Sequence, residues 1–189
     1  MMSGMRLFVS IEPPTGAVEH LDRFLEVRRD AGSDLRWSPP AQWHLTLAFM
    51  GAAPDRVVED VIEGVGVAAA RAAPLELRVT GGGCFPDVTR ARVLWAGLDA
   101  GERLAPLSRA VRSACGVAGA APEGGPFHPH LTIARFSRPT DGTRWVRVLE
   151  TYAGPSWTAA DLAVVASHLP RSRGHRPRHE VLARVPLGG

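Results

Sequence analysis

The chain has 189 residues, 45% hydrophobic and 22% charged, an ordinary globular composition that suits one domain or two small lobes sharing a core. Its formal net charge is +3 and all 22 basic residues are arginine, which is compatible with an anionic substrate without establishing one. Cys84 and Cys115 form no C-x-x-C pair, Met1–Glu12 is too short and too quickly charged for a signal peptide, and no apolar run approaches the ~20 residues of a membrane span. The expectation is a cytoplasmic protein with two free thiols.

Strand-like and helix-like segments alternate along the chain. Arg6–Ile11 reads as a strand. Pro13, Pro14 and Thr15 break it, and Thr15 is placed to cap a helix striped by Val18, Leu21, Phe24 and Leu25. Residues 32–40 read as a loop and Trp43–Met50 as a strand. A helix follows Pro54, with Val57, Val58, Val61, Ile62 and Val65 on one face. Leu75–Thr80 is a further strand, and Gly81–Gly83 reads as a turn. Then come a strand at Arg92–Leu98, a helix marked by Leu104, Leu107 and Val111, and a strand at His130–Phe136. Thr143–Tyr152 reads as a helix, with strands at Asp161–Ser167 and Glu180–Val185.

This order is an internal repeat. His44 and His130 are 86 residues apart, and the same offset relates Arg6 to Arg92 and Leu75 to Asp161. The repeats run over about 5–80 and 91–167, followed by a C-terminal strand at 179–187. Two βαβαβ-like lobes related by a pseudo-two-fold axis are expected within a single domain spanning 1–189, with equivalent positions facing each other across a cleft. Such a cleft requires no dimer, so a monomer is expected.

At the repeat-equivalent position the chain reads His44-Leu45-Thr46-Leu47 and His130-Leu131-Thr132-Ile133. Strand side chains alternate faces. Each histidine therefore shares a face with its threonine, while the leucines and Ile133 turn toward a core. Histidine titrates near neutrality, so one ring can act as base while the other acts as acid. The two hydroxyls can donate to phosphate oxygens. Nothing in this set requires a metal or cofactor. A lone histidine beside a threonine is more often a structural pair, but two copies at one repeat position point to acid–base chemistry on an anion.

With these motifs and their flanks the chain resembles the two-histidine (2H) phosphoesterase superfamily. Within it, the chain is similar to the bacterial and archaeal RNA 2′,3′-cyclic phosphodiesterases, also described as 2′-5′ RNA ligases. The resemblance runs through Arg6-Leu7-Phe8-Val9, Arg36-Trp37-Ser38-Pro39-Pro40, Trp43 to Gly51, Phe85-Pro86, Arg92 to Gly97 and His130 to Arg135. It implies an α+β, bilobal, duplicated fold with two antiparallel-containing sheets flanking a central cleft and helices outside. It also implies hydrolysis of RNA 2′,3′-cyclic phosphate ends to 2′-phosphate ends, with a reversible 2′-5′ RNA ligase activity as a further possibility. In that reaction His130 is the proton acceptor, His44 is the donor to O3′, and Thr46 and Thr132 bind the phosphate. The repeat itself is too symmetric to assign acid and base. One departure stands out: His179 occupies the place where the family's closing stretch has a tyrosine.

Several residues stay open in the sequence. Arg135 is a phosphate-contact candidate by resemblance, but strict alternation turns it away from His130 and Thr132, so only a bulge, a strong twist or the strand end would bring it in. Trp37, Trp43 and Phe85 are candidates to stack on a base, with core packing favoured for Trp43. His128-x-His130 could hold a metal but has no third ligand at a recognisable spacing. His168, His175 and His179 stand with Arg171, Arg173, Arg176 and Arg178 in a basic segment that is either solvated or in contact with an RNA backbone. Partners are RNA 3′ ends or small cyclic nucleotides. Another 2H activity, on a nucleotide or ADP-ribose cyclic phosphate, is the neighbouring alternative, and a non-catalytic RNA-end binding module the contrasting one.

Overall fold

The protein was studied as a computed structural model, which describes residues 4–30, 35–169 and 177–188. The strands are β1 (Gly4–Ile11), β2 (Leu35–Trp37), β3 (Leu45–Pro54), β4 (Leu75–Phe85), β5 (Ala91–Asp99), β6 (His130–Thr140), β7 (Ala153–Ala159), β8 (Asp161–His168) and β9 (Arg178–Pro186). The helices are α1 (Thr15–Arg29), α2 (Val58–Ala70), α3 (Leu104–Val117) and α4 (Thr143–Glu150). The fold is α+β. No helix among the described residues is long and apolar enough to cross a membrane.

All the pairings given for the sheet are antiparallel. The expected two sheets are one curled sheet with the order β7-β4-β5-β6-β3-β1-β8-β9. Its two four-stranded halves meet at the pair Leu45–Leu131, where β3 touches β6. Beyond that point the two strands part. β2 fills the widening gap, pairing with β6 from Leu35–Phe136 to Trp37–Ala134. The loop expected over 32–40 therefore contains a strand, too short to show a period of its own.

The halves of the sheet are not the sequence repeats. β1 and β3 belong to the first repeat but share their half with β8 of the second, which pairs with β1; β5 and β6 belong to the second but share theirs with β4 of the first, which pairs with β5. Each repeat gives its third strand to the other half. The exchange ties the two halves together through β4 and β8, not only through the short seam at their centre.

The helices pack on one side of this sheet. α3 lies on β3, α4 on β4, α2 against α3, β8 and β9, and α1 against β7. Their stripes meet Leu45, Leu47, Leu131, Ile133 and Leu94 in one core, all at most 2% exposed. Burying each such side chain contributes roughly 1.5–3 kcal/mol. Thr15 is the first helical residue of α1 and not its cap. Pro14 holds the cap position, and its carbonyl accepts from the Ala17 and Val18 amides.

Gly81–Gly83 is not a turn either; it lies within β4. A β-carbon on Gly83 would collide with the Trp95 ring, and one on Gly82 with Leu149 and the Trp95 carbonyl. The glycines let β4 pass close to β5 under the Trp95 indole, at a register shift between Val79 and Gly82. Cys84 and Cys115 are free and buried, and burial pushes both thiols up to about 11.

Candidate active site

Two matched bulges shape the open face of the sheet. In β3, Ala48 pairs with Val9 and Thr46 with Ser10, leaving Leu47 as an extra residue. In β6, Ala134 pairs with Leu94 and Thr132 with Trp95, leaving Ile133 as the extra residue. The two positions are again 86 apart. A bulge shifts the alternation by one residue. Leu47 and Ala48 thus both turn to the core, as do Ile133 and Ala134, and Phe49 and Arg135 emerge on the open face. Strict alternation had turned Arg135 away; the bulge brings it onto the face that carries His130 and Thr132.

That face forms a cleft of about 720 Å³. His44, Thr46, His130, Thr132 and Arg135 all line it, together with Arg6, Phe8, Arg36, Gln42, Phe49, Ser167 and His179. The Leu45–Leu131 pair lies beneath, with His44 and Thr132 flanking it on one side and Thr46 and His130 on the other. Among the described residues the lining contains no aspartate or glutamate. Neither threonine hydroxyl bonds another protein group among the described residues, so both are available to a ligand.

The two histidines are anchored alike. Nδ1 of His44 lies 2.7 Å from the Gln42 carbonyl, and Nδ1 of His130 lies 2.6 Å from the His128 carbonyl. A carbonyl only accepts, so Nδ1 carries the proton in both rings and Nε2 is the nitrogen left for chemistry. The surroundings differ. His44 stacks on Phe8 at 4.6 Å and 19°, and the edge of His179 meets it at 5.5 Å. His130 stands edge-on to Phe85 at 5.0 Å, with Trp95 at 6.0 Å. The glycine run in β4 and the His130 ring thus sit on opposite sides of Trp95.

Burial holds both rings below the ordinary histidine value of 6.5, because it disfavours the charged form. For His44 the Gln42 carbonyl works against this, and the charges of His179 and His130 add to it. For His130 the His128 carbonyl works against burial and the His128 charge adds to it. His179 is lowered as well, by burial, with Glu12 opposing.

The remaining candidates separate. Trp43 is buried in the core, 3% exposed. Trp37 borders the cleft, but its ring packs edge-on against Trp145 and lies under the Arg29 guanidinium. Phe85 packs on the two rings of Trp95 and His130. His128 is exposed and serves the site through its carbonyl. No group of three or more His, Cys, Asp or Glu among the described residues is placed to hold a metal ion. His168 ends β8 and bonds Glu180, which also takes Arg178. His179 pairs with Ser167 across β8 and β9, on the cleft face. His175, Arg171, Arg173 and Arg176 lie outside the described residues.

Phe8, Trp95, Arg6 and Arg36 carry no site signal in the sequence. Phe8 sits in an apolar run whose two faces look alike, and only the pairing of β1 shows that Leu7, Val9 and Ile11 face the helices while Phe8 faces the cleft.

A family model described as the 2′-5′ RNA ligase superfamily matches residues 13–171. The chain belongs to that superfamily. An RNA 2′,3′-cyclic phosphodiesterase of Thermus thermophilus is 35% identical over 157 residues, covering 80% of this chain and 75% of the relative. One from Geobacillus stearothermophilus is 33% identical over 137 residues, 71% of this chain; that match spans 43% of the relative's own length. Among solved structures, a protein of Thermus thermophilus superposes with a TM-score of 0.78 at 28% identity, covering 98% of this chain and 99% of its own. E. coli LigT, solved with 3′-AMP, shares the fold with a TM-score of 0.76 at 24% identity, covering 98% and 99%.

Proposed function

We propose that this superfamily member hydrolyses RNA 2′,3′-cyclic phosphate ends to 2′-phosphate ends by two-histidine acid–base catalysis, without a metal ion. The observation that carries the reading is the pairing of two repeat-equivalent histidines, each with Nδ1 tied to a carbonyl and Nε2 turned to no protein group among the described residues, in a cleft whose described lining holds cations and no carboxylate. The names of the sequence relatives point the same way.

In this reading the cyclic phosphate sits between the two His-x-Thr strands. His130 Nε2 takes a proton from water, the water oxygen bonds phosphorus, the P–O3′ bond breaks, and His44 gives its Nε2 proton to O3′. Thr46 and Thr132 donate to the non-bridging oxygens as charge builds there. Arg135 adds a cation for the RNA end. The same steps with a 5′-hydroxyl in place of water are the 2′-5′ ligase reaction, and their reversal cleaves the 2′-5′ linkage back to the cyclic phosphate. The direction of proton transfer rests on the family resemblance, since the two carbonyl anchors are equivalent. The protein acts in this reading as a cytoplasmic monomer.

The test is to incubate the protein with an oligonucleotide ending in a 2′,3′-cyclic phosphate and identify the product. A 2′-phosphate, formed equally in EDTA, is the expected result. A 3′-phosphate product would overturn the leaving-group assignment, and complete loss of activity in EDTA would overturn the metal-free mechanism. Binding without turnover, unaffected by His44→Ala or His130→Ala, would support a binding module.

A further inference from the structure

Arg36 of β2 and Arg135 of β6 are direct cross-strand partners. Like charges directly opposite on a sheet destabilise it, and neither guanidinium has an ion-pair partner among the described residues. Arg6, in the same cleft, lies over the Phe49 ring at 5.0 Å, and its Nε is buried without a protein partner. Elsewhere Arg23, Arg29, Arg78, Arg90, Arg178 and Arg184 each reach a carboxylate. Three guanidiniums with no ion-pair partner among the described residues thus share one cleft, whose described lining holds no acid.

Their place along β6 separates them from the reacting phosphate. Arg135 lies three residues beyond Thr132, about 10 Å at the usual strand rise, slightly less across the bulge. The Leu45–Leu131 seam has parted there and β2 has entered, which sets Arg36 beside Arg135 at that level of β6. One phosphate held between the His-x-Thr motifs does not fill both places. Guanidinium forks match phosphate oxygens in pairs.

We propose that Arg6, Arg36 and Arg135 form a second anion subsite, which holds the phosphate on the 5′ side of the nucleoside whose cyclic phosphate reacts at His44 and His130. The substrate is then an RNA end or a 5′-phosphorylated nucleotide in preference to a bare nucleoside cyclic phosphate. This inference rests on the function proposed above.

The experiment compares kcat/KM for three compounds: a nucleoside 2′,3′-cyclic phosphate with a free 5′-hydroxyl, the same compound with a 5′-phosphate, and a dinucleotide ending in the cyclic phosphate. The 5′-phosphate and the dinucleotide should each raise kcat/KM about ten-fold or more at low salt, a gain the size of one charged hydrogen bond, and the gain should shrink as salt rises. Arg36→Gln, an exposed substitution on the sheet face, should reduce the ratio between phosphorylated and unphosphorylated substrates to near one. A ratio near one in the unaltered protein overturns the subsite, as does a ratio that survives both Arg36→Gln and Arg6→Gln. A gain with the dinucleotide alone assigns the subsite to a phosphodiester, and a gain with the 5′-phosphate alone to a terminal phosphate. If no cyclic phosphate is hydrolysed, the proposed function fails, and calorimetry still tests the subsite. A nucleoside 2′,5′-bisphosphate should bind about ten-fold tighter than the 2′-phosphate, with the preference lost in Arg36→Gln; equal binding overturns it.

Discussion

Leu45 pairs with Leu131 at the centre of the sheet, and this contact between β3 and β6 sets the two His-x-Thr motifs beside each other. Both leucines are almost wholly buried against the helices. The residues on either side of each leucine must then point the other way, which puts His44, Thr46, His130 and Thr132 on the open face. The catalytic proposal and the stability of the seam are two consequences of one register.

His44→Ala and His130→Ala should each lower turnover of a cyclic-phosphate oligonucleotide by roughly 10²–10⁴-fold. The double variant should lose much less than the product of the two, because the rings serve a single proton circuit. Steady-state rates with matched circular dichroism spectra check this. Strictly multiplicative losses would argue that the rings act independently.

The pH dependence follows from the two lowered histidines. Reaction needs one ring charged and one neutral, so kcat/KM should be bell-shaped, with its limbs belonging to the pair. Burial disfavours the charged form of both, so the maximum should lie on the acid side of the ordinary 6.5. His179→Phe keeps an edge against His44 but removes a neighbouring charge, so the His44 resonance should titrate at higher pH by NMR. An optimum above pH 7, or an unmoved His44 titration, would contradict the assignment.

The same burial has a sign for stability. In the unfolded chain these histidines bind protons near 6.5, whereas in the folded protein they resist doing so until lower pH. The unfolded state therefore binds more protons as pH falls below 6.5. The contribution is fully present above the unfolded value and is lost as pH falls through the folded values. Urea unfolding at pH 7.5 and 5.5 should show a drop that is smaller in a His44→Asn/His130→Asn double variant. An equal drop in both proteins would remove these rings as its cause.

Gly83→Ala should cost about 1–3 kcal/mol, the usual penalty of overpacking, because its β-carbon meets the Trp95 ring. Displacing that ring disturbs the wall beside His130, so activity should fall with stability. Leu131→Ala should cost about 2–5 kcal/mol by opening a cavity at the seam. Denaturant midpoints measure both. A neutral Gly83→Ala would mean that β4 can move away from β5.

The sequence by itself determined the four helices, most of the strands but not β2 or β7, the offset of 86 and the four residues of the two motifs. Each is written in near-neighbour periodicity, or in a pattern repeated along the chain, and needs no knowledge of which strand lies beside which. The tertiary structure decided the rest. The exchange of β4 and β8 between the halves, and the merging of the expected two sheets into one, depend on strand partners far apart in the chain. The bulges at Leu47 and Ile133 exist only against β1 and β5, which is why alternation alone turned Arg135 the wrong way. Gly81–Gly83 has the composition of a turn but lies within β4, where Leu149 and the Trp95 carbonyl at Gly82 and the Trp95 ring at Gly83 leave room for nothing larger. The opposition of Arg36 and Arg135, 99 residues apart in the sequence, comes into being only when β2 enters the gap beside β6.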